Sequence, residues 1–220
     1  MRRGFYFLEP ATGSLTPLHD PEPDQPENRF NDGRCDRQGR FWAGTMNDAR
    51  RDPTGALHRL DPDLRSVRIR GDIIVPNSLA WSPNSTTMYF ADTYRHTIFE
   101  YDFDADAGVP GQQRVFVDLS TGPGRPDGSA IDADGCLWNA EYAGARVVRY
   151  RPDGAVDRVV PMPVSNPTCC AFGGTGLDVL FVTTARQRLS PEQLAKEPLA
   201  GSLFAVTPGV RGLPEPRFRG

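Results

Sequence analysis

The sequence has no apolar run approaching the roughly 18 residues of a membrane-spanning helix, so no membrane partner is expected. It has no excess of positive charge either. Its 25 basic and 28 acidic side chains give a formal net charge of −3, with no basic cluster, which removes the electrostatic basis for nucleic-acid binding. Cysteine is sparse: Cys35, Cys136, Cys169 and Cys170 match no zinc spacing, and the adjacent pair suits no disulfide framework, so reduced thiols in a cytoplasmic protein are expected. Met1-Arg2-Arg3-Gly4 is followed by only Phe5 to Leu8 as an apolar stretch, too short for a secretory signal. The three histidines, His19, His58 and His96, sit in unlike contexts and suggest no shared zinc site. There is no Gly-x-Ser-x-Gly elbow and no complete Gly-x-Gly-x-x-Gly fingerprint.

Helical periodicity is missing too, and what replaces it is informative. Glycine (22) and proline (21) make up about a fifth of the 220 residues, well above usual globular usage. With aspartate they interrupt the chain about every 8–12 residues, and the pieces between are rich in Val, Ile, Tyr, Phe and Trp, as in short strands. Four segments are alike: Gly39–Met46, Thr87–Thr93, Cys136–Tyr142 and Val179–Thr184. Their aromatic anchors Trp42, Tyr89, Trp138 and Phe181 recur at steps of 47, 49 and 43 residues. Each follows a strand and a turn (36–39, 82–85, 132–135, 173–176), and each precedes a third strand: 56–60, 97–101, 146–150 and 202–206. A fourth strand follows in three cases, at 66–69, 113–117 and 156–160. Four strands per repeat of this length is a β-propeller blade. Only 190–196 reads as helix, with Ser190 as cap, Pro191 in the first turn and Gln193 three residues after the cap. Residues 4–18 supply two strands, and the last repeat has no clear fourth. The expected fold is therefore all-β: a single propeller domain over 1–220 with about four and a half blades present.

In a propeller the first strand of each blade lines the central channel. Here those strands begin Arg29-Phe-Asn31-Asp32-Gly33, Pro76-Asn77-Ser78-Leu79, Pro126-Asp127-Gly128-Ser129 and Ser165-Asn166-Pro167-Thr168. Asn, Asp and Gly are ordinary turn residues, so one such start carries little. Four in phase suggest oxygen ligands converging on a hard cation. Asp102–Gly108 resembles the start of a calcium loop, but Ala107 and Gln113 stand where glycine and glutamate belong, so a strand end and turn is expected. Pro17–Glu27, rich in proline and acid, reads as a solvated connection.

Asn28–Asp36 running on to Gly39–Met46, with Pro76–Pro83, Tyr89–Asp92, Arg125–Gly128, Pro163–Thr168, Ala171–Gly174, Thr184–Arg186 and Pro198–Gly201, resembles the regucalcin/gluconolactonase (senescence marker protein) family over essentially the whole chain. The resemblance implies a six-bladed propeller and a metal-dependent lactonase acting on a small-molecule sugar lactone. It implies one divalent cation (calcium, zinc, manganese or magnesium) held by Asn77 and Asp127. Asp127 would also be the catalytic base, and Arg29 and Asn31 would hold substrate hydroxyls. It says nothing of protein partners.

Three departures accompany it. The family's first metal ligand, a glutamate in an N-terminal Glu-Gly-Pro motif, has no counterpart here, and the match begins in the second blade. Ser78 stands where the family carries glycine after its metal-binding asparagine, which implies strain in a tight turn. Asn47-Asp48-Ala49-Arg50 stands where some relatives carry a glutamate. The expectation is thus an incomplete six-bladed propeller, poorly soluble or oligomeric by itself. The competing reading is a non-catalytic remnant or a metal-binding interaction propeller lacking that first ligand.

Overall fold

The computed structural model describes residues 4–220, so Arg2 and Arg3 of the short N-terminal stretch lie outside the described residues. The chain divides into two compact units, Met1–Pro76 with Pro216–Gly220, and Asn77–Glu215. The first holds the hairpin β1 (Phe5–Glu9) and β2 (Ser14–His19), then the antiparallel sheet β3 (Asn28–Cys35), β4 (Phe41–Asn47), β5 (Gly55–Leu60) and β6 (Ser66–Ile73) in chain order. Its core is aromatic. Phe5, Ala43 and Leu60 are buried against Leu18, Phe30, Phe41 and Phe218, with the Phe5 and Phe30 rings 4.8 Å apart.

The second unit repeats the pattern. β7 (Pro76–Trp81), β8 (Thr87–Asp92), β9 (Thr97–Asp104) and β10 (Val109–Asp118) form one four-stranded sheet. β11 (Arg125–Ile131), β12 (Leu137–Tyr142), β13 (Arg146–Tyr150) and β14 (Val156–Pro161) form the next. β15 (Pro167–Gly173), β16 (Val179–Thr184) and β17 (Leu203–Val206) make a three-stranded sheet, with helix α1 (Pro191–Lys196) between the last two. Each sheet is an antiparallel meander, the construction of a propeller blade. The strand complement is the one the repeat implied, including the missing fourth strand after Val206. Ser190 caps α1 in a full capping box with Gln193, as read from the sequence. The Asp102–Gly108 segment is a strand end and turn, Gly108 donating to the Asp104 carbonyl.

One local device recurs. In the turn before β4, Asp36 lies fully buried and accepts from the Trp42 indole at 2.9 Å and from Arg40 Nε at 2.6 Å. Before β12, Asp132 is equally buried and accepts from the Trp138 indole at 2.8 Å, the Cys136 amide at 3.0 Å and Arg149 Nε at 2.7 Å. Both turns close on a glycine in the left-handed region, Gly39 (φ 84°) and Gly135 (φ 83°), a conformation that costs other residues. A fully buried tryptophan has an N–H that must be satisfied. The aspartate six residues earlier satisfies it and also fixes the turn. Beyond these turns, Asp132 bridges to Gly212, with Ala133 N donating to the Arg211 carbonyl at 2.8 Å.

Asp132→Ala leaves the Trp138 indole N–H without its acceptor and takes one of three carboxylates from Arg149, whose Nη atoms stay paired with Asp134 and Asp157. It is expected to destabilise the chain by about 1–3 kcal/mol, read as a lowered urea midpoint. A loss under about 1 kcal/mol would mean that the buried pair contributes nothing beyond packing.

Candidate active site

Asn77 and Asp127 both lie in the second unit, near the starts of β7 and β11. Asn77 is buried, and its Nδ2 donates to Thr93 Oγ1 at 2.7 Å. Thr93 in turn donates to the Pro126 carbonyl at 2.7 Å, one residue before Asp127. Ser78 Oγ donates to the Asp127 carbonyl at 2.6 Å, and Asn139 Nδ2 reaches the same oxygen at 3.0 Å. Asn139 and Ser129 also contact Ser78 Oγ, at 2.8 and 3.0 Å. The backbone under both candidate ligands is therefore one buried hydrogen-bonded knot.

The register explains why such a knot is needed. Pairing of β11 with β12 passes from Pro126↔Glu141 to Ser129↔Asn139, so Asp127 and Gly128 form a bulge. β3 has the same irregularity between Phe30↔Thr45 and Gly33↔Ala43, placing Asn31 and Asp32 in it. β15 shifts at Thr168. A bulge leaves backbone groups off the ladder and re-aims side chains. Of the in-phase residues read from the sequence, Asn31, Asp32 and Asp127 occupy these bulges, whereas Asn166 precedes the shift in β15.

In the first unit Arg29 and Asn31 come together. Arg29 Nη1 donates to Asn31 Oδ1 at 3.2 Å and to the Phe30 carbonyl at 3.0 Å, and Asn31 Nδ2 donates to the Pro76 carbonyl at 3.0 Å. Arg29 Nε is held by Asp48 at 2.9 Å. That bond is the main reason the Asp48 carboxyl sits below the usual aspartate range. So Asp48 orients Arg29. A cavity of about 500 Å³ in this unit is walled by Phe5, Leu18, Phe41 and Phe218, with Asn31 and Asp32 also on its lining.

The sequence reading missed Thr93, Tyr94, Asn139 and Tyr142. Thr93 and Tyr142 each stand four residues after their aromatic anchor, a shared offset that could have flagged them. Thr93 and Tyr94 lie in a short 3-10 turn that runs Thr93–Arg95. Tyr142 donates to the Gln187 carbonyl at 3.0 Å, and burial, with Asp127 as a lesser contributor, pushes its hydroxyl pKa up.

The donor types suit a hard cation. The Asn77 amide nitrogen is committed to Thr93, so the coordinating atom it could offer is oxygen, and Asp127 adds a carboxylate. These are two ligands in kind. Among the described residues no three His, Cys, Asp or Glu side chains group as metal ligands.

The family model described as SMP-30/Gluconolactonase/LRE-like region matches residues 1–186. The chain belongs to that family. It is 42% identical to a 6-deoxy-6-sulfogluconolactonase of Pseudomonas putida, over all of this chain and 76% of that protein. It is 38% identical to an L-arabinolactonase of Azospirillum brasilense, over 97% of this chain and 71% of that one. Among solved structures it is similar to a calcium-binding protein, regucalcin, of Agrobacterium tumefaciens (TM-score 0.94, 35% identity, 99% of this chain and 74% of that chain). It is also similar to a luciferin-regenerating enzyme (TM-score 0.88, 32% identity, 94% and 70%).

Ser78 has φ 59°, left-handed for a residue with a side chain, as its replacement of the family glycine implied. Its hydroxyl is what bridges β7 to β11, so the strain accompanies a bond that glycine cannot make. Ser78→Ala keeps the strain and removes the bond, with an expected loss of about 1–3 kcal/mol. Ser78→Gly loses the bond and relieves the backbone, so its denaturation midpoint should lie above that of Ser78→Ala. The reverse order would show that the left-handed backbone carries no cost here.

Proposed function

We propose that this chain hydrolyses a sugar lactone, with Asn77 and Asp127 holding one divalent cation and Asp127 acting as general base. The observation that carries the proposal is the knot at Ser78, Thr93 and Asn139, which holds the Asn77 side chain and the bulged backbone at Asp127 in one hydrogen-bond network. The lactonase names of the relatives support the reaction class, and the calcium-binding relative supports a cation. Calcium, manganese and magnesium favour such oxygen donors, and zinc accepts carboxylate as well. When bound, the cation supplies Lewis acidity to the lactone carbonyl.

This chain's own residues do the rest. Asp127 takes a proton from the attacking water as its oxygen bonds to the carbonyl carbon. The ring C–O bond then breaks, and the same proton passes to the departing alkoxide, leaving an open-chain hydroxy acid. Arg29 and Asn31 donate to ring hydroxyls, contacts made alike in the bound substrate and in the transition state. Asp48 keeps the Arg29 fork aimed. The relatives' names span a sulfonated six-carbon lactone and a five-carbon one, so names alone leave the ring substituents open.

Acid release from gluconolactone and arabinolactone, with calcium, zinc, manganese or magnesium supplied in turn, is the test. Hydrolysis above the spontaneous rate, abolished by chelator, is expected. Asp127→Asn should lower kcat by about a hundredfold or more. Arg29→Ala should act mainly on KM, leaving cation binding nearly intact. Asp127→Asn with near-full activity would remove the base assignment. No hydrolysis with any cation would favour the non-catalytic reading, which the two-ligand donor set also fits.

A further inference from the structure

Four side chains near the start of β11 take no part in the reaction above. Arg125, two residues before it on β11, places its guanidinium carbon 4.9 Å from the centre of the Tyr94 ring. Arg188, in the loop after β16, donates from Nη1 to the Tyr94 hydroxyl at 2.8 Å. Tyr142 completes the group: it stands opposite Arg125 in the β11–β12 ladder, and its hydroxyl donates to the Gln187 carbonyl, one residue before Arg188. Arg125 takes part in no ion pair among the described residues.

The loop that presents Arg188 is built. The Gln187 carbonyl accepts from Tyr142 Oη and from Asn166 Nδ2, each at 3.0 Å, and Ala185 N donates to the Asn166 carbonyl at 2.9 Å. Asn166 is buried. Arg188 itself stands at φ 65°, a left-handed backbone that a residue with a side chain adopts only when its surroundings impose it. Arg188 is exposed and Arg125 half-buried, so both forks remain within reach of a ligand.

We propose that Arg125 and Arg188, spaced by Tyr94, form a subsite for a tetrahedral oxyanion, a sulfonate or phosphate, carried by the lactone at the end away from its ester. Two guanidinium groups that meet the same aromatic side chain can be bridged by one anion, to which each donates. Planar arginine forks match the oxygen spacing of such groups. The Tyr94 face keeps Arg125 in place without using its N–H donors. Asp127 repels a negative group brought against it, so the anion must sit on the part of the substrate remote from the reacting carbonyl. The proposal rests on the lactonase reading for the identity of the ligand, and its test is separable from that reading.

The probes are the open-chain acids 6-sulfogluconate and 6-phosphogluconate against plain gluconate, with binding to the full chain measured by calorimetry. At least one anionic acid is expected to bind about tenfold more tightly than gluconate. Whichever of the two binds more tightly names the group. Arg125→Gln and Arg188→Gln should each bring the ratio to near one, and Arg125→Lys should restore part of it. Equal binding of all three acids, or no binding of any, overturns the subsite. A preference that survives both Gln variants overturns it as well. Preference for the anionic acids without hydrolysis of any lactone upholds the subsite and sinks the lactonase reading. Hydrolysis of gluconolactone without that preference does the opposite.

Discussion

The Asp127 carbonyl oxygen is the point on which the candidate site depends. A bulge takes it off the β11–β12 ladder, and an unpaired carbonyl in a buried strand start costs about as much as a lost hydrogen bond. Two side chains from other strands supply what the ladder does not: Ser78 from β7 and Asn139 from β12. Because the donors come from different strands, satisfying one acceptor also sets the positions of three strands. Asn77, next to Ser78, is thereby tied to the Asp127 backbone through the Ser78 hydroxyl. The left-handed Ser78 and the Thr93 link to Pro126 are parts of the same solution.

Much of this was legible in the sequence, and the limits have physical causes. Strands, turns and the capped helix were readable because each is set within a few residues: Asp36 and Asp132 precede their tryptophans by six, and Ser190 precedes Gln193 by three. The Tyr89 repeat has no such aspartate. Its anchor has no indole N–H to satisfy, and Ser82-Pro-Asn-Ser85 makes that turn instead. Asn31 and Asp127 were visible as in-phase residues, but their bulges were not. A bulge is a relation between two strands, and only the pairing partner reveals it. Thr93 and Asn139 escaped for the same reason, since their partners lie 33 and 61 residues away. The resemblance named Asn77 and Asp127, which one hydrogen-bond network connects, but the serine in place of glycine conveyed strain without conveying the bond that accompanies it.

The contact of Asp132 with Gly212 bears on the order in which the second unit folds. The strand pairs within its sheets join neighbours in the chain, and apart from β16–β17, whose connection holds α1, each hairpin closes a loop of only a few residues, so those hairpins form on a timescale of about microseconds. The turn at Asp132 can be complete that early, because its carboxylate is satisfied by Trp138, Cys136 and Arg149, all within 17 residues. The Gly212 bridge, and the bond from Gly212 N to the Leu177 carbonyl at 2.7 Å, join segments far apart in sequence. Their closing entropy is repaid only once β15 to β17 stand in place. A ribosome releasing this chain therefore delivers the sheets one at a time, and residues 211 and 212 arrive to latch turns that are already formed.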